Sequence, residues 1–336
     1  MREMALRIAV VGLAGVGRTH VARFQQMAQF ELAAICDTNT EVLERAAADA
    51  SARAYSSAEE MFEKHDLDAV SLCTPPRSHL PLTQMAARAG VHVLCEKPMA
   101  STVQQCDGMI EACRETGVVL MIAHKKRFLP VVARLRELMD GPLGPMSYLL
   151  HRYAHPGMSQ KDWFWDEEDG GGPVLENAVH AADLVRYLMG DVETVSAEAG
   201  TFFARERAPQ LDCAVYTVRF SNGAIGTVGC GMVSTPRMSH EDLFVAGERG
   251  VAEIGGRFDN ADRLVYVLRS DPDQVHEETF PDSDPFRAEF EHFYECVEEE
   301  REPLTSGAEG GKAVRLCLAV KESARAGRPV KLGART

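Results

Sequence analysis

Residues 8–20 read Ile8-Ala9-Val10-Val11-Gly12-Leu13-Ala14-Gly15-Val16-Gly17-Arg18-Thr19-His20. An apolar, β-branched run passes into a glycine-rich turn, and the turn into a segment of helical spacing. Strand, glycine turn and helix in that order form the context in which a G-x-G-x-x-G pattern holds a dinucleotide. Gly12 permits the tight turn, and Gly17 lets the helix pack close to the strand. Backbone N–H groups at the helix start, with the helix dipole behind them, then face a pyrophosphate. Ala14 stands where the pattern has its middle glycine, Gly15 follows it, and Leu13 and Val16 complete the loop. A glycine-rich turn that holds no ligand fits the same residues.

Asp37 bears on that choice. It ends the second apolar run, 20 residues beyond Gly17, where a carboxylate can accept hydrogen bonds from both ribose hydroxyls. The same charge repels a 2′-phosphate, and Thr38-Asn39 offers no arginine to receive one. The expected cofactor is therefore NAD, with NADP disfavoured. Asp37 could alternatively cap the helix expected from Glu41, and the two roles are compatible.

Outward from this motif, the first 123 residues alternate between two periods. Short apolar runs at Leu6–Val11, Glu31–Cys36, Ala69–Cys73, Val91–Cys95 and Val118–Ile122 predict buried strands. Ala-rich segments at Thr19–Ala28, Glu41–Ala50, Ser78–Ala89 and Val103–Thr116 predict helices. Continuous apolar strands alternating with helices mean a doubly wound parallel sheet covered on both faces, a Rossmann-type α/β domain. After His124 the pattern changes to one helix (Val131–Met139) and longer half-polar strands at Pro145–Tyr153, Val192–Phe203, Cys213–Phe220 and Ala224–Val233. Ser221-Asn222-Gly223 is a turn signal that favours antiparallel pairing. A helix over Pro173–Met189 interrupts these strands, and helices near 286–300 and 308–326 close the chain. The expected division is a dinucleotide-binding domain, 1–123, and an α+β domain with a large, mainly antiparallel open sheet, 124–336. The acidic stretch Asp271–Glu302 reads as solvated surface.

At 336 residues the chain exceeds the size at which one core stops growing. A net charge of -14 argues against nucleic acid or an anionic membrane as partner. The apolar run before Gly12 is too short for a signal h-region, and no segment approaches the roughly 20 apolar residues of a membrane span, so a cytoplasmic location is expected. The nine cysteines include no Cys-x-x-Cys, and several close strand patterns. They read as reduced core residues, and no metal site is expected.

Three further segments carry a resemblance. The fourth strand ends in Thr74-Pro75-Pro76-Arg77-Ser78-His79, and the fifth in Glu96-Lys97-Pro98. The third segment is Gly170-Gly171-Gly172-Pro173-Val174-Leu175-Glu176-Asn177-Ala178-Val179-His180-Ala181-Ala182-Asp183. With echoes at His124–Phe128, Ala246–Gly250 and Ser323–Pro329, this ordered set resembles the Gfo/Idh/MocA family of glucose–fructose oxidoreductase and inositol dehydrogenase-like proteins. Strand ends are also where open parallel sheets bind ligands. A lysine leaving a buried strand directly before proline is an unusual placement, although a solvated lysine fits too. If Pro173–Met189 is helical, Glu176, His180 and Asp183 share one face, and Glu176 can orient and support His180.

The resemblance implies an NAD-dependent oxidoreductase acting on a secondary alcohol or ketone of a sugar, cyclitol or related polyol. It implies a cofactor site of Gly12, Leu13, Ala14, Gly15, Val16, Gly17, Asp37, Thr74, Pro75, Pro76, His79, Glu96 and Lys97, with a cis Lys97–Pro98 bond. Lys97, His180 and Glu176 become the catalytic group, and Lys97, Arg127, His155, His180 and Asp183 the contacts to a small polyhydroxy substrate. His180 takes the hydroxyl proton and Lys97 steadies the oxygen, or the two exchange roles. Pairing through the open sheet face into a homodimer or homotetramer is also implied. The chain departs from the family pattern at Glu176, where aspartate is usual, and at Ala178, where glycine is usual. A non-catalytic NAD- and sugar-binding sensor of the same fold is the alternative.

Overall fold

The protein is described by a computed structural model that covers residues 5–333 apart from 158, 160, 258, 259 and 282. It forms two compact units, residues through His124 with Phe286–Gly311, and Lys125–Pro285 with the chain from Lys312 onward.

In the first unit the order is β1 (Leu6–Val11), α1 (Val16–Phe24), β2 (Phe30–Cys36), α2 (Thr40–Asp49), β3 (Arg53–Tyr55), α3 (Ala58–Lys64), β4 (Ala69–Leu72), α4 (His79–Arg88), β5 (His92–Cys95), α5 (Val103–Thr116) and β6 (Leu120–Ile122). The six strands are parallel in the order β3-β2-β1-β4-β5-β6. Leu6, Ile8, Ala9 and Val10 are fully buried, as continuous apolar strands in a sheet covered on both faces should be. Strand order reverses between β1 and β4, which opens a crevice beyond their carboxyl ends. Helix α1 begins at Val16, three residues before the expected start, because Gly15 takes up φ 55 and ψ -119 and turns the chain at once. β3 and α3 have no counterpart in the sequence expectation. Two of the three β3 residues are exposed, and α3 buries only Met61, so neither shows an apolar period.

The second unit runs through α6 (Pro130–Asp140), β7 (Met146–Ala154), α7 (Asp162–Trp165), α8 (Pro173–Glu176), α9 (Val179–Met189), β8 (Val192–Gly200), β9 (Cys213–Phe220), β10 (Ile225–Gly231), β11 (His240–Gly247), β12 (Gly250–Arg257), β13 (Asn260–Leu268) and β14 (His276–Thr279). The chain then forms α10 (Pro285–Glu298), which belongs to the first unit from Phe286 on, α11 (Gly307–Ala326), counted with the second unit from Lys312 on, and β15 (Val330–Lys331). Nine strands form one sheet in the order β14-β13-β12-β11-β7-β10-β9-β8-β15, parallel only between β7 and β10. In β9, Ala214, Tyr216, Val218 and Phe220 are buried while Val215, Thr217 and Arg219 are exposed. That alternation marks a sheet with one face covered and one open. Tyr148, Leu150, Val215 and Ile225 leave apolar groups on the open face.

Two expectations need correction. Pro173–Met189 is not one helix. The N–H groups of Asn177 and Ala178 both donate to Pro173 O, at 3.1 Å each, and His180 N–H reaches Asn177 O at 3.4 Å. The chain thus makes one wide turn after α8 before α9 resumes at Val179. The acidic stretch is also not merely solvated. α10 buries Glu289, Phe290, Phe293, Cys296 and Val297, and Phe290 stacks on Phe24 at 4.5 Å between ring centroids. Phe286–Gly311 accordingly clusters with the first unit, whereas the 124–336 division put it in the second. Among the described residues no helix is long and apolar enough to cross a membrane.

Candidate active site

At the end of β1, Gly12 has φ +87, and a Cβ there would lie 2.7 Å from Cys73 O; at Gly17 a Cβ would lie 1.9 Å from Gly12 O. Both positions therefore require glycine if the turn is to sit against β4 and the start of α1. Ala14 and Gly15 are exposed, Val16 is half-buried and Leu13 is buried. No side chain caps the start of α1, where the Gly17 N–H donates to Ala14 O at 3.1 Å; an uncapped helix start of this kind suits an anion. Asp37 Oδ2 accepts the Leu13 N–H at 2.8 Å, and Oδ1 accepts the Asn39 N–H at 2.8 Å. The cap of α2 is Asn39, which accepts from Val42 N–H, so the capping alternative for Asp37 is not what the fold uses. A close-approach glycine turn, an uncapped helix start and a carboxylate at the next strand end together fit a dinucleotide.

Beyond β4, Thr74 and Pro75 are half-buried and Pro76 is buried. A Cβ on Gly12 would come within 3.0 Å of Thr74 Cγ2, so the turns after β1 and β4 touch. His79, expected at the cofactor, instead faces inward. It is fully buried, with Nδ1 3.1 Å from Met99 O and Nε2 2.8 Å from Thr74 O. Burial holds its imidazole pKa below the ordinary value, against the pull of those carbonyls. A neutral ring has one N–H to give, and with it His79 staples the turn after β4 to the segment after Lys97-Pro98.

Lys97 follows β5, half-buried, and its bond to Pro98 is cis. The neighbouring Glu96 is buried. Its Oε2 accepts the Lys97 backbone N–H at 3.0 Å, and its Oε1 lies 3.1 Å from His20 Nε2. Burial pushes the Glu96 carboxyl up, but His20 and Lys97 outweigh it and leave it below the ordinary range. Burial likewise opposes a charged His20, yet Cys73 and Glu96 raise that imidazole to about 10. The sequence reading gave His20 no role. Its signal was a polar residue on the buried stripe Gly17, His20, Val21 and Phe24 of α1.

In the second unit, Gly171 and Gly172 both have left-handed φ values and lead into α8. Lys321 on α11 is almost fully buried and donates to Gly171 O at 2.8 Å and to Glu167 Oε1 at 2.6 Å. Glu176 ends α8, Ala178 is buried in the turn, and His180 is buried in the first turn of α9. The helical spacing that would align Glu176 with His180 does not run through this break. Arg127 and Asp183, expected against substrate, pair with each other. Arg127 Nε reaches both carboxylate oxygens at 3.1 and 2.9 Å, Nη2 donates to Oδ1 at 2.6 Å, and both side chains are about 2 % exposed or less. His155 follows β7, half-buried, with Nδ1 3.0 Å from Gly157 O. A second buried set was not foreseen: Glu241 pairs with Lys126 and with His151 Nε2 at 3.2 Å. Among the described residues no group of three or more His, Cys, Asp or Glu could hold a metal ion, and all nine cysteines are free.

Residues 6–124 match the oxidoreductase family with an NAD-binding Rossmann fold, and residues 132–253 match the GFO/IDH/MocA C-terminal domain. The chain is 27% identical to myo-inositol 2-dehydrogenase of Thermotoga maritima over 97% of its own length and 98% of that protein's. It is 31% identical to D-glucoside 3-dehydrogenase of Escherichia coli, covering 67% of this chain and 70% of that one. The WlbA dehydrogenase of Bordetella pertussis, solved with NADH and UDP-GlcNAcA, superposes with a TM-score of 0.85 at 27% identity over 99% of both chains. The chain belongs to the GFO/IDH/MocA family of oxidoreductases, with that family's NAD-binding Rossmann domain in its first unit and its C-terminal domain in the second.

Proposed function

We propose that this NAD-dependent oxidoreductase acts on a secondary hydroxyl or carbonyl of a sugar, cyclitol or related polyol, with Lys97 and His180 as the acting side chains. The observation that carries the reading is the placement of Lys97. β1, β4 and β5 are adjacent, with Val11 opposite Leu72 and Leu72 opposite Cys95. The glycine turn, Thr74 and Lys97 therefore leave neighbouring strand ends on the face where such sheets bind ligands. Gly12–Gly17 and Asp37 hold the dinucleotide, with Thr74–Pro76 beside it; bound NAD supplies the hydride acceptor. His180 accepts the hydroxyl proton. Lys97 donates to the same oxygen and stabilises its charge as it develops. Glu176, at the end of α8, supports His180 across the turn before α9, and His155 meets substrate hydroxyls. The mutual engagement of Arg127 and Asp183 supports a narrower role for them, that of fixing α9 rather than touching substrate.

The relatives act, by their names, on an inositol and a glucoside, which supports a polyhydroxy substrate. The apolar open face of the nine-stranded sheet supports a homodimer or homotetramer, and nine free cysteines support a reducing, cytoplasmic setting. A panel of cyclitols, aldoses and glycosides with NAD, followed by NADH absorbance, tests the reading. Hydride transfer to at least one supports it; tight NADH binding without turnover on any supports a sensor instead.

A further inference from the structure

His20 is fully buried on the inward side of α1, and the proposed chemistry makes no use of it. Its Nδ1 lies 2.8 Å from Ser71 Oγ on β4, and its Nε2 3.1 Å from Glu96 Oε1 beyond β5. The other Glu96 oxygen accepts the Lys97 amide at 3.0 Å. Phe24, Phe286 and Phe290 meet the ring edge-on, with centroids 6.0, 5.9 and 4.7 Å away. The titratable groups that act on it are Cys73 at the end of β4 and Glu96; α10 presents phenyl rings to it. Three phenyl rings would pack as well on an apolar side chain, and a buried imidazole costs free energy unless its polar atoms are partnered. Of the two ring nitrogens, Nδ1 meets Ser71 and Nε2 meets Glu96, the residue before Lys97.

We infer that His20 is a positioning residue for Lys97: it fixes the Glu96 carboxylate, the carboxylate fixes the amide from which Lys97 departs, and α1 ties both to the dinucleotide loop. The inference rests on the assignment of Lys97 to the reacting oxygen. A carboxylate with both oxygens engaged keeps one orientation. Without His20 it can turn, and the Lys97 amide loses its acceptor. Misplacing a reacting group by about 1 Å costs up to roughly 100-fold in rate.

The test compares His20→Phe, His20→Gln and Lys97→Met for turnover, KM and NADH affinity with an accepted polyol. His20→Phe fills the space but makes neither bond, and should lower kcat roughly 10- to 100-fold while NADH affinity stays near that of the parent. His20→Gln can span Ser71 and Glu96 with its amide and should restore most of the loss. Parental kcat in His20→Phe beside an inactive Lys97→Met overturns the inference alone. Full turnover in Lys97→Met removes the Lys97 assignment and the inference with it. Equal losses of kcat and NADH affinity in His20→Phe also overturn it, since His20 would then serve only the dinucleotide loop. Should His20→Phe fail to fold, Glu96→Gln is read the same way, with lowered kcat at unchanged NADH affinity in support and parental kcat against.

Discussion

Asp37 Oδ2 accepts the Leu13 backbone N–H at 2.8 Å, so the carboxylate proposed to meet the ribose also closes the glycine loop. On the proposed assignment one residue both shapes the glycine turn and repels a 2′-phosphate at the strand end. NADH should bind at least tenfold more tightly than NADPH, about 1.4 kcal/mol or more. Asp37→Ala should weaken NADH and narrow the gap, because the loop anchor and the repulsive charge go together. Nicotinamide fluorescence titration measures both; equal affinities in the parent protein would remove Asp37 from the ribose site.

His20, opposed by burial but raised by Cys73 and then by Glu96, gives stability a pH dependence whose sign follows from the folded state. His20 sits at about 10 when folded, against an ordinary 6.5. The folded chain thus keeps a proton that the unfolded chain releases between those values. Its contribution is complete below about 6.5 and is lost as pH rises through about 10. Tm should decline across that window in the parent protein and less steeply in His20→Gln. Parallel declines in calorimetry would show that His20 is not the group responsible.

Much of the first unit was legible because its strands are uninterrupted apolar runs and its turns carry glycine and proline. Leu6–Val11 and Val103–Thr116 match the structure residue for residue. The second sheet was half hidden. β11 to β13 contain Glu241, Asp242, Gly255, Gly256, Asp262 and Arg263, which blur the alternation that marked β9. The break before α9 was illegible for a different reason: no proline or glycine marks it, and it arises where Asn177 and Ala178 share one carbonyl. Pairings between distant residues, such as Lys126 with Glu241 or Arg127 with Asp183, exist only once the sheet is assembled.

Arg127 and Asp183 should matter more to folding than to substrate affinity. Both are almost wholly buried and joined by a fork of charged hydrogen bonds. Removing one partner strands the other charge away from water, a loss of about 3–5 kcal/mol. Asp183→Ala should therefore lower the urea midpoint strongly, with KM little changed in whatever fraction stays folded. A stable variant with a greatly raised KM would return Asp183 to the substrate.

The open sheet face should carry the association of copies. Ile225 stands opposite Tyr148 in the parallel pair of β7 and β10, and Leu150 lies opposite Phe244 on β11. Light scattering at micromolar concentration should give a dimer or tetramer, and Leu150→Glu with Ile225→Glu should shift it towards monomer. A monomeric parent protein would refute this.

His180→Ala and Lys97→Ala divide the catalytic labour. If His180 accepts the hydroxyl proton, its loss should depress turnover by roughly 10²–10⁴-fold. NADH affinity should hardly change, since the glycine loop and Asp37, proposed to hold the dinucleotide, belong to the first unit. Lys97→Ala should lose turnover and also raise KM, because its ammonium would meet the oxygen in both the ground and transition states. Glu176→Gln should cost less than either. Glu176 ends α8 and His180 is the second residue of α9, so any support reaches across a turn rather than along a continuous helix. Steady-state kinetics on one accepted polyol, with NADH affinity measured for each variant, separates the cases. Near-parental turnover in His180→Ala beside an inactive Lys97→Ala makes lysine the proton acceptor. Full activity in both would place the chemistry outside the Glu96-Lys97-Pro98 and His180 segments.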